Sequence, residues 1–276
     1  MTELKRTLRR TIRRAKRAIS RVRDLPDTFF GPHDPLMPPA HLRRFYYGTS
    51  DRATFRRHCV AIGSELTTRG LQPSNRVLDI GSGIGNLPLA LLEFLHGGYD
   101  GLDIHAQAVA WCQRAITSSH PRFRFHRADL KNEAYNPGGR ASAASYRLPF
   151  ANAAFDVVFL ASVFTHMMPD EIENYLQEIG RILPPGGWCV ASFFLLNDDT
   201  RRGVDAGRAF TSFDVRHPSQ QARLHDAVIP EAAVAIEESF VLRACDSAGL
   251  IVRDVRRGDW AAGTNGGQDL MTLDLL

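Results

Sequence analysis

Three carboxylates and one histidine stand where this sequence could do chemistry. Asp79 lies in the apolar run Val77 to Ile80, and the chain then breaks into glycines at alternate positions, Gly81, Gly83 and Gly85, with Ser82 between the first two. The stretch RVLDIGSGIGNLPLALLEFL reads as a buried strand, a tight turn and a helix, because glycine enters the left-handed backbone region without steric penalty. A dinucleotide turn needs GxGxxG, and counting from Gly81 its last position is Asn86. The phosphate loop GxxxxGK[ST] is missing as well. A carboxylate at position 79 would repel a phosphate and attract a cation, so the turn suits a positively charged ligand. Asp103 ends the next strand, GYDGLDIH, and Asp129 ends the one after, FRFHRADL. His166 follows a fourth apolar run, in SVFTHMMPDE. A histidine there is a candidate base for a hydroxyl acceptor that must lose a proton. The other reading is a histidine that packs beneath a ligand or caps the next helix.

These residues are placed by alternating elements. Apolar patterning predicts strands at 76–80, 99–104, 122–127, 155–161 and 187–194, and helices at 86–96, 106–118 and 170–183. A helix at 237–249, a strand at 250–256 and a last apolar run at 269–276 follow, the final two strands pairing antiparallel across GDWAAGTNGG. Alternation of this kind implies an α/β fold with a mostly parallel sheet of seven strands and helices on both faces. Two polar insertions, 131–150 and 196–236, follow the ends of strands, where open α/β sheets bind ligands, and are the expected substrate loops. Upstream, Ser50 is the expected N-cap of a helix running to Gly70, and the Pro-rich connector 25–49, with prolines at 26, 32, 35, 38 and 39, is expected to be extended over residues 25–41. The expected organisation is thus 1–24, 25–49 and a domain at 50–276.

Charge is unevenly distributed. The formal net charge is +4, yet residues 1–24 hold ten Lys/Arg against Glu3 and Asp24, so the remainder is net acidic. In that segment Leu4, Leu8, Ile12, Ala15, Ile19 and Val22 recur at helical spacing among arginines, an amphipathic pattern able to lie on anionic lipid or to pack as an arm on protein. No aromatic residues are interleaved for base stacking, so nucleic acid is not expected as a partner. Without an apolar run of about 18 residues or a secretory leader, the expected location is the cytoplasm, with peripheral contact at the inner membrane face through residues 1–24. The cysteines, Cys59, Cys112, Cys189 and Cys245, have no CxxC spacing and read as reduced, packed thiols. No ligand spacing is diagnostic of a metal, although Asp198, Asp199, His225 and Asp226 carry suitable atoms.

The DxGxGxG turn with Asp103, Asp129, FDVVFLASVFTHM and RILPPGGWCVASFF, in order across 76–194, resembles the class I S-adenosylmethionine-dependent methyltransferases. The resemblance implies a Rossmann-like seven-stranded sheet and S-adenosylmethionine as cofactor, with S-adenosylhomocysteine as product. It implies that Asp79, Gly81, Ser82, Gly83 and Gly85 form the cofactor turn and that Asp103, with Ile104 beside it, takes the ribose hydroxyls. Asp129 and the Leu130 N–H would receive adenine, and Ala161 and Ser162 would follow the fourth strand beside it. Such a donor needs little beyond positioning, except that an oxygen acceptor requires a base, His166, with His217, His225 and Asp226 in reserve. Tyr46 and Tyr47 precede the first core helix and could contact cofactor or acceptor, and Trp260 could wall the acceptor pocket; plain packing is the alternative for each. EAYNPGGR, YRLPF, SVFTHM and VASFFLLND further resemble bacterial methyltransferases of glycan and polysaccharide tailoring, including the mycobacterial mannoside type. A sugar or oligosaccharide hydroxyl is therefore the expected acceptor, with a small molecule, lipid or quinone at the membrane surface as the alternative. Asn136, Arg140, Asn197, Asp198, Arg201 and Arg202 offer the hydrogen bonds a sugar would use.

Overall fold

The computed structural model describes residues 34–263 and 266–276. The amphipathic segment 1–24 and the first part of the proline-rich connector lie outside the described residues. The first element among the described residues, α1 (Ala40–Tyr47), fills the end of the connector and begins at the last residues of the stretch expected to be extended. Pro39 immediately precedes it, where a fixed φ and a missing N–H do no harm, and Gly48 closes it in the left-handed region with its N–H on the Arg44 carbonyl. Helix α2 (Arg52–Thr68) is capped by Asp51, whose carboxylate accepts the Thr54 N–H at 2.7 Å. The cap is therefore Asp51, one residue later than the serine the sequence suggested.

Strands β1 (Arg76–Ile80), β2 (Gly98–Asp103), β3 (Phe123–Arg127), β4 (Val157–Leu160) and β5 (Trp188–Phe193) appear where alternation placed them. Helix α3 (Asn86–Leu91) is shorter than expected, and α4 (Ala106–Cys112) runs into a wider π turn over Gln113–Thr117. Helix α5 (Pro169–Ile182) starts on a proline with Asp170 and Glu171 in its first turn, both favourable to a helix N-terminus. All four residues of β4 and all six of β5 are buried, as expected for strands covered on both faces.

Between β5 and α7 (Glu238–Ser247), the second insertion is structured. It contains β6 (Leu195–Leu196), α6 (Asp198–Asp205), β7 (Val215–Arg216), β8 (Ala222–Leu224) and β9 (Val234–Glu237). These strands form a small sheet of their own, ordered β6-β9-β8-β7. Strands β10 (Leu250–Arg256) and β11 (Asp269–Leu275) complete the main sheet, ordered β10-β11-β5-β4-β1-β2-β3, with β11 antiparallel to both β10 and β5. This is the Rossmann-like α/β sheet expected.

The described chain divides into two compact units, one of residues up to Asn75 with Ser82–Arg127, the other of Arg76–Gly81 with Ala128–Leu276. The first is centred on α2 against α3 and on the paired β2 and β3. Within the second, Phe194, Leu196, Val204, Phe213, Ala235 and Trp260 form a core beneath the small sheet. Trp260 is fully buried, so it packs this core and does not wall an open pocket. Its Nε1–H donates to Asp269 Oδ2 at 2.8 Å, the same oxygen accepts the Leu195 N–H, and Oδ1 accepts that of Gly258. Burial raises the Asp269 pKa while these donors pull it back. All four cysteines are free and buried, and burial pushes the Cys59 and Cys245 thiols up to about 12.

Replacing Trp260 with Phe keeps the ring but removes a donor from a buried carboxylate. The expected loss is about 1–3 kcal/mol of stability, read as a lower denaturant midpoint; an unchanged midpoint would show that the bond does not hold this corner.

Candidate active site

In the first unit the glycine turn is built around Asp103. Its two carboxylate oxygens accept the Gly83 N–H and the His105 N–H, each at 2.7 Å. The carboxylate is buried, which raises its pKa, while the amides of His105, Gly83 and Ile104 favour the charged form. Gly83 has φ +52°, and a Cβ there would meet the Tyr46 ring at 3.1 Å. The Tyr46 hydroxyl in turn lies 3.1 Å from His105 Nδ1. Tyr46 is thus the tyrosine at the turn, whereas Tyr47 packs its ring on Phe55 and His58. Gly85, at φ +84°, precedes α3 beside Ile116 and Cys112. Ser82 Oγ and Asn86 Nδ2 are buried without a hydrogen-bond partner. Buried polar atoms are ordinarily paired, so this wall is chemically suited to a ligand rich in hydroxyls and amines, as a nucleoside with an amino-acid tail is.

In the second unit Asp79 is buried near the end of β1, and Gly81 follows at φ +78°. A side chain at Gly81 would collide with Val163. Ala161 is half-buried; Ser162 takes φ +56°, donates its N–H to Ser192 Oγ at 2.7 Å and shares a side-chain hydrogen bond with Gln268. Asp129 Oδ2 accepts Arg140 Nε at 2.7 Å, and Leu130 is buried with its carbonyl accepting from Asn136.

His166 closes a short turn after β4, and both insertions converge on it. The Pro230–Ala232 turn of the second insertion brings the Glu231 carbonyl to 2.8 Å from Nδ1. A carbonyl only accepts, so Nδ1 carries the proton and Nε2 has the lone pair. The first insertion brings the Tyr135 hydroxyl to 3.2 Å from Nε2. Asn132 Nδ2 reaches the His166 carbonyl at 3.3 Å, while its Oδ1 accepts the N–H groups of Ala134 and Tyr135. Burial lowers the His166 pKa, and the Glu231 and Ala232 backbone groups offset this in part, so the ring is neutral near pH 7. Asn132 and Glu231 carry no motif of their own, and Tyr135 was marked only as part of EAYNPGGR; the other sequence signal was that both insertions follow strand ends.

The reserve candidates make other contacts. His217 Nδ1 pairs with its neighbour Ser219 on the rim of the small sheet. His225 is exposed and bonds to Thr211 and Ser212, and Asp226 accepts the Val228 and Ile229 N–H groups of a turn. Of the polar residues expected to meet a sugar, Asn136 donates to Leu130, Arg140 to Asp129, Arg201 to Glu237 and Arg202 to Asp199, while Asn197 caps α6. Five of the six are therefore engaged within the protein.

Residues 77–187 match the family described as methyltransferase domain. Among curated proteins, the sterol 24-C-methyltransferase of Schizosaccharomyces pombe is 25% identical over 159 residues, 58% of this chain, and the chain spans 37% of that relative's length. The fold is similar to a Pyrococcus horikoshii protein (TM-score 0.54, 16% identity, 80% of this chain and 91% of that one). It is also similar to the Burkholderia thailandensis 1,6-didemethyltoxoflavin-N1-methyltransferase, solved with its namesake compound and S-adenosylhomocysteine (TM-score 0.51, 19% identity, 82% and 80%). The match covers residues 77–187, less than half of this chain, and likens that stretch to a methyltransferase domain, of the kind whose cofactor is S-adenosylmethionine.

Beside His166, Glu171 Oε2 accepts the Met168 N–H at 2.8 Å, and burial, with Asp170 and Glu231 adding like charge, raises its pKa to about 7. An acid whose folded pKa exceeds its unfolded value stabilises most below the unfolded value, 4.5 here, and loses that contribution as pH rises through about 7. Glu171→Gln keeps the acceptor for Met168 without the charge. Its melting temperature should match the parent's near pH 4 and exceed it at pH 8; a gap that fails to widen with pH would contradict the assignment.

Proposed function

We propose that the protein transfers a methyl group from S-adenosylmethionine to a hydroxyl oxygen of a small-molecule acceptor, the acceptor's proton ending on His166. The supporting observation is the bond from His166 Nδ1–H to the Glu231 carbonyl, which leaves a neutral imidazole with its lone pair at Nε2. The cofactor, when bound, supplies an electrophilic methyl. An oxygen that gains a methyl group becomes a strong acid, so even a base weakened by burial collects its proton. The domain's remaining contribution is alignment and exclusion of water.

By the resemblance, Asp103 with Ile104 holds the ribose hydroxyls and Asp129 with Leu130 the adenine. Asp79, Gly81, Ser82, Gly83 and Gly85 hold the charged end, and Ala161 and Ser162 lie beside it. The placement of Asp103 under two backbone N–H groups supports its part, since a preoriented carboxylate accepts two hydroxyls with little reorganisation.

For the acceptor, the sugar reading rests on the motif resemblance, while most of the side chains that favoured it are occupied by internal bonds. A lipid-like or other apolar small molecule gains support from the sterol methyltransferase relatives. Contact with anionic membrane through residues 1–24 belongs to this second reading. A screen with radiolabelled S-adenosylmethionine against mono- and oligosaccharides, and against lipid acceptors in anionic vesicles, separates the two. A soluble glycan acceptor should survive deletion of residues 1–24, and a membrane-borne one should not.

Asp103→Ala is expected to weaken S-adenosylmethionine binding in calorimetry, and undiminished affinity would remove its ribose role. His166→Ala should leave that affinity intact but lower turnover by about 10²- to 10⁴-fold, the usual contribution of a proton acceptor. Turnover equal to the parent's would exclude His166 from the reaction.

A further inference from the structure

The lone pair of His166 is not open to an acceptor directly, because Tyr135 stands on it. The Tyr135 hydroxyl is 3.2 Å from Nε2, and the rings meet edge-on at 73° with centroids 5.1 Å apart. Nδ1 holds the imidazole's proton, so across this contact the phenol donates and the imidazole accepts. A phenol oxygen that donates its own hydrogen keeps two lone pairs and can accept from a second hydroxyl.

We infer that Tyr135 is a catalytic residue that receives the proton of the acceptor hydroxyl while passing its own proton to His166 Nε2. This rests on the hydroxyl-acceptor reading above. The acceptor O–H bond breaks as a new O–H bond forms on the phenol, and the original phenol O–H breaks as N–H forms on the imidazole. Tyrosine ends as it began, and the positive charge given up by the methyl donor reappears on the imidazolium, where the Glu231 carbonyl accepts from Nδ1. Neither residue need ionise beforehand, since each gains a proton as it loses one or starts neutral.

The surrounding chain holds the pair in register. Asn132 Oδ1 accepts the N–H groups of Ala134 and Tyr135 at 3.0 Å each, and its Nδ2 donates to the His166 carbonyl, so one side chain fixes both partners. Asn132 is a positioning residue. The contact tying the second insertion to the histidine is the Glu231 carbonyl, and the first insertion is also bound to Glu231, whose Oε1 accepts the Glu133 N–H at 3.2 Å. Both insertions are therefore coupled to the same proton path.

Full-length Tyr135→Phe, assayed with whichever acceptor the screen identifies, should lose about 10²-fold or more in kcat with its S-adenosylmethionine affinity unchanged by calorimetry. The Tyr135→Phe/His166→Ala double variant should be no slower than the slower single one, since groups acting as one unit are not additive. Independently of activity, ¹⁵N NMR should show the His166 Nε2 resonance of an unprotonated nitrogen, displaced in Tyr135→Phe. Fluorinated tyrosine at position 135 keeps the ring and hydroxyl but makes the hydroxyl more acidic, and it should alter kcat without altering melting temperature. Parental kcat in Tyr135→Phe or the fluorinated protein, or multiplied losses in the double variant, would overturn the relay. If His166→Ala is slow while Tyr135→Phe is not, the proton reading survives without Tyr135. If both turn over at the parental rate, the hydroxyl-acceptor reading itself falls.

Discussion

The hydrogen bond from His166 Nδ1 to the Glu231 carbonyl is the constraint on which the proposed proton transfer depends. It selects one tautomer, and the tautomer decides which nitrogen can accept. The same bond anchors the second insertion to the end of β4, while Asn132 anchors the first insertion to the same histidine through its carbonyl. Two segments far apart in sequence thus have a common attachment point. Burial keeps the ring neutral, and a neutral ring has no charge to attract a counterion and disturb the arrangement.

Three buried carboxylates of this fold, Asp103, Asp269 and Glu171, are held by N–H donors and not by an ion pair. Asp103 holds two turn amides, Asp269 holds Leu195 and Gly258 together with the Trp260 indole, and Glu171 caps α5 at Met168. In each, burial pushes the pKa upward while N–H groups oppose it. The balance differs with the number of donors: Asp103 is held by several amides, whereas Glu171 has one and faces two other carboxylates. Burial thus raises both Asp103 and Glu171, and for Glu171 the rise reaches about 7.

The centre of the sheet was legible in the sequence because β4 and β5 are near-continuous apolar runs, a signal set by burial on both faces. Asp103 was legible because it ends the strand that follows the glycine turn. The small sheet was not, since strands of two to four residues are too short to establish alternation. Helix α1 was hidden by the prolines before it, which mark a helix start as readily as a coil. Tyr46 and Tyr47 are neighbours on one helix and point about 100° apart, so composition alone could not choose the one at the turn. Tyr135 and Glu231 act through contacts between distant segments, one of them through a backbone carbonyl that any residue could supply. Trp260 looked like a pocket wall from its glycine-rich surroundings, but its indole N–H found a buried carboxylate and drew it inside.

The placement of β11 has a further consequence for how the protein is made. It lies between β5 and β10, yet it follows both in sequence, so during synthesis β5 is complete long before the strand that covers its edge exists. Until then the backbone of WCVASF offers unpaired N–H and C=O groups from one of the most apolar segments of the fold, a template for any other strand nearby. Asp269, the first residue of β11, also brings the acceptor for Leu195, Gly258 and Trp260. Closure of the main sheet and locking of the aromatic core therefore arrive together, late, as a single event. A chain made only as far as Gln268 therefore has a bare β5 edge.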